Sequence, residues 1–202
     1  VTGGALGAAI FACAGLAPSR AVAEPGDRGL QVRAAFWGEW IPQPWAPPSL
    51  VAGALGLVGI SVHGAWRFPS GFELGLVGVR TAAVVAGEYA SATPGETFAL
   101  ARVPSGTLAA EVGGIGFFHR GRAWTLTVRV APGVLGFHVR GRPGDGATTY
   151  ATSPAFFTMR GEVEGCAAPL AVRICAFVAP TIVQMDRAGN GMAAGVTVAF
   201  GP

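Results

Sequence analysis

Between residues 29 and 41 apolar and polar positions alternate: Leu30, Val32, Ala34, Phe36 and Trp40 fall on one parity, Gln31, Arg33, Trp37 and Glu39 on the other. A period of two over that length predicts a strand with one apolar and one polar face. The pattern returns repeatedly. Val62, Gly64, Trp66 and Phe68 oppose His63 and Arg67, and Trp124, Leu126, Val128 and Val130 oppose Thr125, Thr127 and Arg129. Phe157, Met159 and Val163 oppose Thr158, Arg160, Glu162 and Glu164; Leu170, Val172, Ile174, Ala176 and Val178 oppose Arg173, Cys175 and Phe177. Past Pro132-Gly133 the apolar set moves to Leu135, Phe137 and Val139, which predicts a parity flip through a bulge or a turn. Arg80 shares its parity with Leu74, Leu76 and Val84, so a bulge is expected near it too.

Eight extended segments result, over residues 29–41, 50–68, 72–90, 97–119, 123–142, 155–165, 170–184 and 192–200. Turn formers at Pro104-Ser105-Gly106 and Ala131-Pro132-Gly133 make the count ten if both are reversals. The connections alternate in length: residues 42–49, 91–96, 141–154 and 186–191 are long, while 69–71, 120–122 and 167–169 are short. A soluble sandwich has no reason to sort its loops this way, whereas a membrane barrel keeps short turns at one end and long loops at the other. An even strand count puts both termini at the same end.

Composition narrows the classes. Of 202 residues 51% are hydrophobic and 12% charged, too few charges for a disordered chain. No run of about 20 apolar residues follows the N-terminus, which argues against a helical membrane bundle. The 14 basic residues are all Arg, and the net charge of +3 comes without a basic run, so no nucleic-acid partner is expected. Residues 1–23 are small and apolar and end in Ala21-Val22-Ala23, which reads as a secretory leader cleaved after Ala23, with a single domain over 24–202. Beyond that leader and its Cys13 remain Cys166 and Cys175. In an oxidising compartment they are expected to form a disulfide if the turn between them is loose enough to set them opposite; two buried thiols are the alternative.

Met192, Ala194, Val196, Val198 and Phe200 recur at strict period two opposite Ala193, Gly195, Thr197 and Ala199. This resembles the C-terminal insertion strand of bacterial outer-membrane β-barrels, departing from it in the Gly201-Pro202 that follows the terminal aromatic. In length, strand number and loop alternation the rest of the chain resembles the small eight-stranded members of that family. The resemblance implies an all-β, closed antiparallel up-and-down transmembrane β-barrel in a Gram-negative outer membrane. It further implies a monomer whose partners are outer-membrane lipid and the outer-membrane assembly machinery. Aromatic girdles are then expected from Trp40, Trp45, Trp66, Phe68, Phe72, Tyr89, Phe117, Phe118, Trp124, Phe156, Phe157 and Phe200.

In such a barrel the charged parity faces the lumen: Arg33, Glu39, His63, Arg67, Glu111, Arg129, His138, Arg140, Arg160, Glu162, Glu164 and Arg173. Arg129, Arg160, Glu162, Glu164 and Arg173 are expected to form an internal ion-pair ladder. Catalytic, cofactor and metal sites are not expected. Ser61 and His63 would share an inward face, Glu162 and Glu164 are flanked by arginines as a salt-bridge row would be, and Gly113-Gly114-Ile115-Gly116 lacks the strand–helix setting of a nucleotide loop. The expected function is a structural or envelope-interaction barrel, with or without a narrow pore, and not an enzyme. The rival readings are a soluble secreted barrel or sandwich that binds a small apolar ligand, and an outer-membrane lipid-modifying enzyme. The first two differ in which face is apolar.

Overall fold

The computed structural model describes residues 28–42, 50–87, 89–91, 106–121, 124–141, 149–167, 172–183 and 190–201. The expected leader, Trp45, and the side chains of Tyr89, Val139 and Arg140 lie outside what is described. Twelve strand elements follow one another: β1 (Gly29–Ile41), β2 (Leu50–Ala52), β3 (Leu55–Arg67), β4 (Phe72–Ala86), β5 (Tyr89–Ser91), β6 (Gly106–Val112), β7 (Ile115–Arg120), β8 (Trp124–Gly141), β9 (Thr149–Thr152), β10 (Phe156–Ala167), β11 (Val172–Val183) and β12 (Gly191–Phe200).

They make eight staves, because β6 and β7 share one position in the ring and the short elements β2, β5 and β9 extend their neighbours at the long-loop end. Each stave pairs antiparallel with the next in sequence, β10 with β8, and β12 closes the ring on β1 from Val32↔Phe200 to Trp40↔Met192. A 13-residue strand such as β3, at about 3.3 Å per residue and a tilt of about 40°, rises about 33 Å, enough to cross a bilayer's apolar band. The turns β3–β4 and β7–β8 are tight, held by Gly71 N–H donating to Phe68 O at 3.1 Å and Gly121 N–H to Trp124 O at 2.8 Å. Both termini of the described barrel lie at this short-turn end.

The polar parity points inward. Gln31, Arg33, Arg67, Glu73, Arg160 and Glu164 are all 2% exposed or less, while Phe36, Ile60, Leu108, Phe117 and Ile174 stand 59–66% exposed on the outside. Arg80 reaches the lumen because β4 carries a bulge against β3: Gly64↔Val77 is followed by Ala65↔Gly75, leaving Leu76 as the extra residue. Leu76 and Val77 both face out, so Glu73 before the bulge and Arg80 after it can both face in. At the same level Gly113, with φ of 70°, gives β6–β7 its own extra residue against β8. Gly75 N–H then donates to Gly114 O at 2.6 Å, and this bond joins the two bulged staves.

Three expectations are corrected. The parity flip at Ala131-Pro132-Gly133 is absent: β8 runs straight through, paired with β10 from Trp124 to Leu135, so that residue triplet is no turn and the count stays at eight. Leu135 and Phe137 face inward, and His138 is exposed on the outer parity, not in the lumen. The reason is that the long-loop end of the lumen is itself apolar, so apolar character stops marking the outer face there. The polar stretch 141–154 contains β9, which pairs with the end of β8.

The girdle needs correcting too. Trp66, Phe68, Phe72, Phe117, Trp124 and Phe200 do sit at the short-turn end, with Phe72 in edge contact with Phe117 at 5.7 Å, and Trp40 and Phe157 are exposed toward the other end. Phe156, however, is buried inside against Phe137, and Phe118 lies under the Arg67 guanidinium at 4.5 Å. An exterior that is apolar on all staves around a charged interior is soluble in acyl chains, and a closed sheet leaves no backbone group unpaired along an edge.

Gly59 faces inward where a Cβ would come within 2.6 Å of Trp37 Cζ2 and 2.8 Å of Ala82 Cβ. Gly59→Val is expected to cost about 1–3 kcal/mol, measured as a lowered urea midpoint of the micelle-folded barrel by tryptophan fluorescence. An unchanged midpoint would contradict this packing.

Candidate functional site

Among the described residues the charged side chains gather in the lumen, where they connect into a single string. Near the short turns Glu73 accepts from Arg67 Nε at 3.0 Å and forms a close pair with Arg33. Arg33 Nη1 lies 3.8 Å from Glu164, whose Oε1 accepts from Arg129 Nη2 at 2.9 Å. Arg129 Nη1 also reaches Glu162 at 2.8 Å, and Glu162 accepts from Arg160 Nη2 at 3.4 Å. Arg160 Nε is 4.0 Å from Glu111, Glu111 is 2.9 Å from Arg80 Nε, and Arg80 Nη1 is 3.8 Å from Glu39.

From Arg67 to Glu39 the charges alternate in sign at every step. Ten ionised groups, drawn from β1, β3, β4, β6, β8 and β10, thereby neutralise one another inside the wall. Cross-links add to it: Arg129 Nε lies 3.6 Å from Glu73, and Arg67 Nη2 donates to Thr127 Oγ1 at 3.2 Å. Such a lattice is forced, since each charge taken from water must find a counter-charge at close range.

Of the five residues expected to form a ladder, Glu164, Arg129, Glu162 and Arg160 are consecutive members of this string. Arg173 stands at the short-turn mouth and donates through Nη2 to Gly201 O at 2.9 Å. Arg80 and Glu73 join the string together with Arg33, Glu39, Arg67 and Glu111, although simple alternation along β4 puts the two on opposite faces. Their signal was the pair itself: two charges of opposite parity on one stave can both avoid lipid only if a bulge lies between them.

His63 Nδ1 is 3.5 Å from Glu111 Oε2, and the buried Ser61 lies across the sheet from Arg80. Beside His63 a cavity of about 40 Å³ runs between Arg33, Glu73, Glu111 and Arg129 and the glycines of the two bulges. It has room for about one to three water molecules.

Above the string the lumen turns apolar. Trp37, Ile41, Leu57, Leu135, Phe137, Phe156 and Val183 pack as one cluster at the long-loop end. The two layers meet where Arg80 sits 5.6 Å from the Trp37 ring centre and Arg160 5.6 Å from that of Phe177.

Cys166 and Cys175 are directly opposite on β10 and β11 and joined as a disulfide facing the lumen. The expected turn at residues 168–169 lies outside the described residues. Glu164 Oε1 lies 3.9 Å from Cys166 Sγ. These three residues are close enough together to suggest metal ligation, but both sulfurs are committed to each other. Met192, Val196 and Phe200 of β12 all stand about half exposed on the outer face.

No family model matches the chain, and no curated protein matches it. Among solved structures it is similar to Neisserial surface protein A, at 10% identity and a TM-score of 0.49 over 86% of this chain and 96% of that one. It is also similar to the N-terminal β-barrel domain of OprF from Pseudomonas aeruginosa, at 10% identity and a TM-score of 0.46 over 84% and 97%.

Glu73 is flanked by three arginines, so Glu73→Gln is expected to lower unfolding stability by about 3–5 kcal/mol. Glu39 reaches Arg80 only at 3.8 Å, and Glu39→Gln is expected to cost about 1 kcal/mol. Urea titrations of both variants in detergent check the order; equal losses would refute the lattice as drawn.

Proposed function

We propose that the chain is an outer-membrane β-barrel of a Gram-negative envelope, with a structural or envelope-interaction role and no catalysis. The observation that carries this reading is the inversion of faces: the ionised side chains of the string are buried, while large apolar side chains stand exposed on the outside of every stave. A soluble barrel that holds an apolar ligand needs the reverse arrangement. Helical spans would carry a protein into the inner membrane; strands of this kind are suited to an outer membrane, reached after export through the leader read at residues 1–23.

The lumen supports a wall rather than a conduit. Charges cancel along the string, and aromatic and aliphatic side chains pack across the long-loop end. Its partners are outer-membrane lipid, along the apolar exterior, and the assembly machinery, for which β12 presents alternating outward residues ending in Phe200. A monomer accounts for the closed ring, because no stave needs a second chain to complete its ladder.

Expression in a Gram-negative host tests this. The protein is expected in the detergent-solubilised outer-membrane fraction, with a gel mobility that changes on boiling. Recovery in the soluble periplasm would overturn the reading. Removal of residues 192–202 is expected to abolish the heat-modifiable band, since it takes away both the strand that seals the ring and the one offered to the machinery; a truncated chain that still shows the band would refute that role for β12.

A further inference from the structure

The β10–β11 pair has a weakness and a repair. Ladder partners run Thr158↔Val183, Met159↔Ile182 and Arg160↔Thr181, lapse for two positions, and resume at Val163↔Val178. The lapse falls on Pro180, which has no N–H to give and stands beside Gly161, its Cγ 3.5 Å from where a Gly161 Cβ would be. The register is the same on either side of the lapse, but cross-strand support between these two strands is thinnest beside the charged residues of β10. A slip of one residue would turn Arg160, Glu162 and Glu164 toward lipid. Three pairs beyond the resumption, Cys166 and Cys175 are bonded across the same two strands.

In the closed barrel this bond is out of reach. The two cysteines are 4% and 2% exposed, face the lumen, and pack with the fully buried Ala199 of β12. A protein-sized oxidant cannot approach either sulfur once β12 has paired with β11 and β1.

From this burial and the broken ladder we infer that the disulfide is made before the barrel closes, on the unassembled chain, by a dithiol-oxidising enzyme of the envelope. The bond fixes the register of β10 against β11 in advance of closure. The exchange balances: one cysteine thiolate attacks the enzyme's disulfide to give a mixed disulfide, and the second cysteine displaces the enzyme. The chain gives up two electrons and two protons, and the enzyme leaves as the dithiol. The inference rests on the envelope reading above, which supplies the oxidising compartment.

The test uses the full chain with Cys13→Ser, so that only two thiols remain. The chain is reduced and folded into detergent micelles, and the heat-dependent mobility shift certifies the barrel independently of thiol chemistry. Folded and urea-unfolded samples are then exposed to a purified periplasmic dithiol oxidase, and remaining thiols are tagged with a maleimide polymer for gel reading. The folded barrel is expected to oxidise at least about a hundredfold more slowly than the unfolded chain, as local opening limits access. Similar rates would overturn the inference.

If the reduced chain does not fold, the oxidised barrel is challenged with reduced thioredoxin. Retention of the bond until urea is added supports the inference, and loss at the unfolded rate overturns it. In a second arm, Cys166→Ala/Cys175→Ala is expected to lower the yield of heat-modifiable barrel severalfold, and adding Pro180→Val, which restores the missing N–H, is expected to recover it. No recovery would refute the role in register.

Discussion

A chain in lipid has nowhere to put an unpaired backbone group, and that single constraint organises this molecule. The sheet must close, so β12 must meet β1, and once it has closed the alternation of side chains decides everything else. Each residue is committed to acyl chains or to the lumen. Eleven ionised side chains of the described strands, Arg33, Arg67, Arg80, Arg129, Arg160 and Arg173 with Glu39, Glu73, Glu111, Glu162 and Glu164, take the second course. There ten of them persist by arranging themselves so that opposite signs touch, and Arg173 donates to the Gly201 carbonyl.

The alternating string is the result of that crowding. It runs across staves more than along them, so it ties together strands distant in sequence: Glu73 on β4 meets Arg33 on β1 and Arg129 on β8, and Glu111 on β6 meets Arg160 on β10. Pairs of this kind contribute little net stability beyond what an apolar filling would give, because desolvation offsets most of the attraction. What they add is intolerance of error. A stave in the wrong register strands a charge without its counterpart, and the cost of that is several kcal/mol at once. The tandem bulges at Leu76 and Gly113 serve the same end, since they set the phase of the charged side chains above them.

Much of this could be read from residues alone. Strict alternation in β1, β10 and β12 is legible because each of those strands has one face in lipid and one in a mostly polar lumen. The bulge near Arg80 was legible because a charge on an apolar parity must be explained. What escaped has a common physical origin. Leu135, Phe137 and Phe156 look like outward residues, and Phe156 like a girdle aromatic, because sequence periodicity cannot tell a lipid-facing apolar side chain from one that fills a barrel end. The true partners of Arg129 were half visible: Glu162 and Glu164 lie on a neighbouring stave, but Glu73 depends on a fold around the ring that no local spacing encodes.

The apolar layer at the long-loop end has an electrical meaning. Trp37, Ile41, Leu57, Phe137 and Phe156 form a layer of low polarisability stacked on a layer dense in fixed charge. An ion in the first layer would find no group able to replace its hydration, whereas the second offers counter-charges at close range. The oil-like storey thus stands between the arginines and glutamates beneath it and the long-loop mouth.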